Sequence, residues 1–266
     1  MKERIITGVI LIGVLVAIIS MGEIPILALV AFLSTVGIYE YYNVVAKDSN
    51  LFDKIFMCIV NLVIISYGII RPEYILELFL FIVMIIFAKG VITKKTVDEI
   101  VFSIWGLIYV SIFFALAIKI LFVDAGLATI LLTIVTCIIC DTMAYFVGVK
   151  LGRHKLCEAV SPKKSVEGSI GGFLSSAIFM VIAYFVMTKI GIAILLSLND
   201  CIVLGLLIGI FAQFGDLSAS MIKRKYDVKD YGHIFPGHGG VLDRVDSIMF
   251  TLGISYIYLE VCGRII

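Results

Sequence analysis

Residues 126–148 read GLATILLTIVTCIICDTMAYFVG. As an α-helix rising about 1.5 Å per residue, this run spans the roughly 30 Å hydrocarbon core of a bilayer. It shows no period-two alternation, which excludes a barrel strand. It holds one charged side chain, Asp141. The first basic residue after it is Lys150, nine positions on, or about 13 Å along a helix. The run therefore says two things. The chain crosses the membrane as a helix, and it carries a carboxylate into the membrane, which costs several kcal/mol unless the group is paired or hydrated and marks a candidate functional residue.

Other apolar spans lie on both sides of this run, at about 5–21, 24–45, 55–70, 74–89, 100–122, 170–190, 201–219 and 247–263. The N-terminal MKERIITGVILIGVLVAIIS looks like a signal peptide but lacks a small-x-small cleavage site, so it is read as a retained first helix. The 266 residues are 62% hydrophobic and 15% charged, well outside the composition of a soluble domain. The six cysteines lie mostly in apolar runs, and the Cys137-x-x-Cys140 pair sits in the run just quoted with no second pair, so small core side chains are expected rather than a zinc site. The sequence predicts an all-α, polytopic integral membrane protein of about nine transmembrane helices. Residues 1–122 are read as N-terminal transmembrane helices. Residues 123–266 are read as a C-terminal catalytic region with two charged loops, 149–169 and 220–246.

Lys and Arg in the loops set the orientation. With the N-terminus in the cytoplasm, seventeen of the 21 basic residues fall on the inner side; Arg71, Lys119, Lys189 and Arg264 remain outside. This places both charged loops on the cytoplasmic side; the membrane expected is the cell's inner (plasma) membrane.

The polar chemistry is concentrated between Asp216 and Asp246, DLSASMIKRKYDVKDYGHIFPGHGGVLDRVD. Asp216 lies seven positions before Lys223, about 10 Å along a helix, so it also sits inside the membrane. Ser220 at i+4 and Lys223 at i+7 share its helical face. PGHGG, residues 236–240, allows close backbone approach to a ligand through Gly239 and Gly240. His238 is a candidate phosphate contact or acid–base group; His233 and His154 read equally well as loop residues. Asp243 and Asp246 begin the last helix at i and i+3. They could face one cation together, or one could bind metal while the other orients Arg244; such oxygen ligands suit Mg²⁺. Lys223, Arg224, Lys229 and Arg244 are candidates to offset phosphate charge. In the other loop, KLGRHKLCEAVSPKKSVEGSI, Ser161 is expected as a helix N-cap with Pro162 at the first helical position. Lys163, Lys164 and Ser165 then make a candidate anion site, with a plain basic loop as the alternative. Carboxylates, cations and a glycine loop together point to phosphoryl or nucleotidyl transfer.

The run Ser220-x-Ile222-Lys223-Arg224-x4-Lys229-Asp230-x-Gly232-x2-Phe235-Pro236-x-His238-Gly239-Gly240-Val241-x-Asp243-Arg244-x-Asp246 resembles the characteristic motif of the phosphatidate cytidylyltransferase (CDP-diacylglycerol synthase) family. Two upstream segments agree: Asp141-x2-Ala144-Tyr145-x2-Gly148-x3-Gly152-Arg153, and Ser161-Pro162-Lys163-Lys164-Ser165-x-Glu167-Gly168. The family more often has Lys where Arg153 stands and Thr where Ser165 stands. The resemblance covers about 126–250. It implies transfer of CMP from CTP to phosphatidate, giving CDP-diacylglycerol and pyrophosphate. It also implies a metal centre at Asp216 and Asp243, with Mg²⁺ that can be paired with K⁺, and support from Asp246 and Asp141. It further implies phosphate- or substrate-binding roles for the matching residues, Asp230 and Glu167 among them, and a homodimer. Membrane lipids are expected partners and nucleic acid is not. The rival reading is a transporter that uses Asp141 and Asp216 as an ion pathway; it leaves the one-sided basic clusters unexplained.

Overall fold

The computed structural model describes residues 13–47, 49–235 and 239–265. The chain is an all-α, polytopic membrane protein. Among the described residues, seven helices are long and apolar enough to cross a membrane. Most of the expected span at 5–21 lies outside the described residues, although 13–20 are helical.

The chain divides into two compact units. One comprises Met1–Ile118 with Tyr226–Val245; the other comprises Lys119–Lys225 with Asp246–Ile266.

The first unit is built on α1 (Glu23–Val45), α2 (Leu51–Ile70), α3 (Ile75–Ile92) and α4 (Val97–Leu121, with a π-helical turn at Leu107–Ile112). Two of these helices begin several residues before the apolar run that predicts them. Their first turns are polar and locally capped, so they continue past the apolar segment. The Asn50 side chain accepts from the Asp53 amide at 2.8 Å, and Thr96 and Glu99 form a reciprocal capping box. Ile38, Tyr41, Ile64, Leu107 and Tyr109 fill the core. Polar ties fix helix to helix inside it. The Asn61 amide donates to Ser34 at 3.1 Å and Thr35 at 3.2 Å, and the Tyr42 hydroxyl bonds Ser103. Buried Asp53 pairs with Lys89 and Lys95, each at 2.6 Å.

The second unit contains α5 (Gly126–Leu151), a hairpin of β1 (Lys155–Cys157) and β2 (Ser161–Ser165), α6 (Val166–Ile190) and α7 (Leu198–Lys225). From Asp246 on, α8 (Leu242–Val261) belongs to it as well. Lipid supplies no hydrophobic drive between helices, so they associate through close packing at small residues. A Cβ on Gly168 would stand 2.6 Å from the Ala144 carbonyl oxygen of α5, and one on Gly205 would stand 2.8 Å from the Ala177 Cα of α6. Only hydrogen fits at either position.

Two expectations are corrected here. Ser161 and Pro162 do not open a helix. Residues 161–165 form an edge strand antiparallel to 155–157, with Lys155 opposite Ser165 and Cys157 opposite Ser161. Proline's fixed φ suits an edge strand as well as a first helical turn, and its missing N–H is no loss there. The helix instead starts at Ser165, whose hydroxyl accepts from the Gly168 amide at 3.2 Å. The second charged loop is also shorter than 220–246. α7 continues to Lys225 and α8 resumes at Leu242, so Ser220, Lys223 and Arg224 are helical residues.

Candidate functional site

In the second unit, the sequence-predicted residues come together from four elements. β2 carries Lys164 to Asp216 of α7, with Nζ 2.5 Å from Oδ2. The Ser220 hydroxyl approaches Asp216 Oδ1 at 3.5 Å, one turn along the same helix, as its spacing requires. Asp141 of α5 lies within Coulombic range of both Asp216 and Lys164. Asp246 of α8 is buried and lies within Coulombic range of Asp216, Lys223 and Asp141. Its Oδ1 accepts the Ser247 amide at 2.8 Å, and the Ser247 hydroxyl is within reach of both Asp246, at 3.4 Å, and Asp141. The cluster thus holds three carboxylates against two lysines, with hydroxyls between them.

The hairpin that delivers Lys164 is anchored by Glu167. Its carboxylate accepts the Arg153 amide at 3.0 Å and the His154 amide at 3.3 Å, and meets His154 Nδ1 at 2.6 Å. The Lys155 ammonium closes the turn by donating to the Pro162 carbonyl at 2.6 Å. Glu167 therefore acts on the backbone, and His154 is an exposed loop residue whose ring meets it. Ser165 is buried at the helix start, while Ser161 is half-buried and Lys163 exposed on the strand.

In the first unit, Asp243 closes the loop between α7 and α8. Its Oδ2 accepts the Tyr231 amide at 2.7 Å and the Gly240 amide at 3.0 Å. Gly239 has φ +82°, a left-handed conformation that suits glycine, and a Cβ there would stand 3.0 Å from Asp243 Oδ2 and 3.4 Å from Asp230 Oδ1. Asp230 and Asp243 thus flank the glycine turn, which a bond from the Phe235 amide to the Gly239 carbonyl closes at 3.0 Å. Lys229 and Arg244 are exposed, as is Arg224 at the end of α7. His238 lies outside the described residues. Asp216 and Asp243, expected to share a metal, belong to different units. Among the described residues, no group of three or more His, Cys, Asp or Glu side chains forms a ready metal site.

One residue of this constellation escaped the sequence reading. Glu40 of α1 is 4% exposed, and its carboxylate accepts the Val241 amide at 3.1 Å and the Leu242 amide at 2.8 Å. A signal was present, since Glu40 is the one charged residue between Ile24 and Val45 of its apolar run.

Comparison with known proteins follows the same lines. The chain belongs to the cytidylyltransferase family, whose model matches residues 2–262. A phosphatidate cytidylyltransferase of Bacillus subtilis (strain 168) is 33% identical over 267 residues, 97% of this chain and 97% of that protein. One of Thermotoga maritima is 31% identical over 274 residues, covering all of this chain and 98% of that protein. One of Staphylococcus aureus (strain COL) is 43% identical over 135 residues, half of each chain.

Proposed function

We propose that this protein transfers CMP from CTP to phosphatidate, giving CDP-diacylglycerol and pyrophosphate. The observation that carries the reading is the cluster of Lys164 from the hairpin, Asp141, Asp216 and Lys223 from helices long and apolar enough to cross a membrane, and Asp246 from α8. Both substrates are anionic at their reacting ends, so their repulsion must be offset before positioning can help. Lys164 and Lys223 supply positive charge beside the carboxylates, and Lys163, Arg224, Lys229 and Arg244 supply more on the surface. Ser220 offers a neutral hydroxyl to phosphate oxygens, and the Gly239–Gly240 turn lets the backbone come close to one. A phosphatidate oxygen attacks the α-phosphorus of CTP, the bond to the β-phosphate oxygen breaks, and pyrophosphate leaves.

The carboxylate-rich donor set fits a hard divalent cation, which commonly completes its shell with substrate phosphates and water. Asp216 and Asp243 would hold Mg²⁺, with K⁺ as a second ion and Asp141 and Asp246 in support. When bound, the ion supplies charge neutralisation at the phosphates. The clustering of basic residues favours an inner-membrane protein with its N-terminus and site in the cytoplasm. CTP then arrives from water and phosphatidate from the inner leaflet. A homodimer is the expected assembly.

The test is chromatography of the lipid products after incubating the purified protein with CTP, Mg²⁺ and phosphatidate in mixed micelles. A cytidine-bearing lipid that depends on phosphatidate supports the reading. Its absence, together with ion flux in proteoliposomes, would favour the transporter.

A further inference from the structure

The helix that carries Asp243 begins at Leu242. Helix starts leave amide groups without partners, and a Ser, Thr, Asp or Asn at the N-cap commonly satisfies one of them. Here the preceding residue is Val241, whose side chain has no acceptor. The amides of Val241 and Leu242 donate instead to Glu40, from 201 and 202 positions upstream. Glycines of the same loop fit around that carboxylate. A Cβ on Gly232 would stand 2.2 Å from Glu40 Oε1, and one on Gly240 would stand 2.4 Å from it. The other end of the loop is also held by the N-terminal helices. The Lys47 ammonium donates to the Tyr226 carbonyl at 3.3 Å, and the Phe102 and Tyr226 rings meet edge-on with centroids 6.1 Å apart. The described residues between Tyr226 and Val245 accordingly pack as part of the N-terminal unit.

We propose that Glu40 is a positioning residue for nucleotidyl transfer: a cap supplied by the first described membrane-spanning helix that fixes the start of α8 and thereby the carboxylate of Asp243. This rests on the nucleotidyl-transfer reading above. It gives the N-terminal helices a task that their hydrophobicity does not reveal, which is to hold the catalytic loop. A carboxylate suits the task because it has two oxygens, and each accepts one of two adjacent amides. A Gln in its place would present one acceptor and one donor, leaving an amide facing an amide.

The experiment compares wild type, Glu40→Gln, Glu40→Ala, Gly240→Ala and the double variant Glu40→Ala/Gly240→Ala, all full length in detergent. The readouts are kcat, KM for CTP, and the thermal unfolding midpoint. Misplacement on the scale of an ångström costs about 10²-fold in rate. Glu40→Gln is therefore expected to lose about 10- to 100-fold in kcat, with little change in KM for CTP and a midpoint within a few degrees of wild type. Gly240→Ala is expected to lower the midpoint in wild type and much less in the Glu40→Ala background, where the side chain it strikes is gone. Wild-type kcat in Glu40→Gln would overturn the proposal, as would activity lost only in proportion to unfolded protein, or additive midpoint shifts. A wild-type protein that makes no cytidine lipid would instead sink the nucleotidyl-transfer reading, and the midpoint cycle would still decide the Glu40–Gly240 contact.

Discussion

Lys164 and Asp216 form an ion pair of 2.5 Å between a hairpin strand and the interior of a membrane-spanning helix. Both side chains keep part of their surface open, 24% for the lysine and 33% for the aspartate. A pair made only for stability would gain little from that exposure. The arrangement leaves the ammonium able to meet an incoming anion while it offsets the Asp216 charge. Lys164→Ala should therefore lower kcat by about 10²- to 10³-fold, the usual effect of removing one preorganised electrostatic group. Lys163→Ala, on an exposed neighbour, should do much less. Steady-state rates for the two variants check this, and equal losses would remove the special role of Lys164.

Asp243 combines a structural task with a proposed chemical one, and one substitution separates them. A single oxygen, Oδ2, accepts both loop amides, so the carbonyl of an asparagine can keep both bonds. Asp243→Asn should leave the melting midpoint nearly unchanged while turnover disappears at any Mg²⁺ concentration. Retained turnover would take Asp243 out of the proposed metal site.

Helix packing in the second unit depends on glycine. Gly168→Leu forces a side chain against the Ala144 carbonyl, and Gly205→Leu forces one against the Ala177 backbone. Each should destabilise the protein by about 1–3 kcal/mol, the scale of overpacking in a filled interior. Thermal unfolding in detergent measures the shift, and an unchanged midpoint would mean that the helices separate freely.

An ion pair apart from the cluster provides the contrast. Asp200 accepts from Arg264 at 2.7 Å and from the Tyr258 hydroxyl at 2.9 Å. The arginine is partly exposed but Asp200 is buried, with Ser197 and Tyr258 left as donors, so Arg264→Ala should cost about 1–3 kcal/mol. Its kcat should match wild type, and a large loss of rate would connect this pair to the chemistry.

The membrane-spanning helices were legible because a bilayer demands long apolar runs, and Asp141 and Asp216 stood out in those runs for the same reason. Helix ends were less legible. The polar first turns capped by Asn50, Thr96 and Ser165 look like loop when only hydropathy is read. Ser161-Pro162 misled because proline's fixed φ is compatible with both a helix start and an edge strand, and only the pairing of 161–165 with 155–157 decides between them. Glu40 was missed because its meaning lies in a contact across 201 positions. As a lone acid in an apolar run it could be noticed, but neither spacing nor propensity names the amides it meets.

The central claim is transfer of CMP onto a membrane lipid at the Lys164–Asp216 cluster. Parallel reactions with CTP labelled at the α-phosphate and at the γ-phosphate test it most directly, using the purified protein and phosphatidate. The α label is expected in the lipid and the γ label in pyrophosphate, and Asp216→Asn is expected to stop both. A γ label retained in the lipid, or α-labelled lipid still formed by Asp216→Asn, would contradict it.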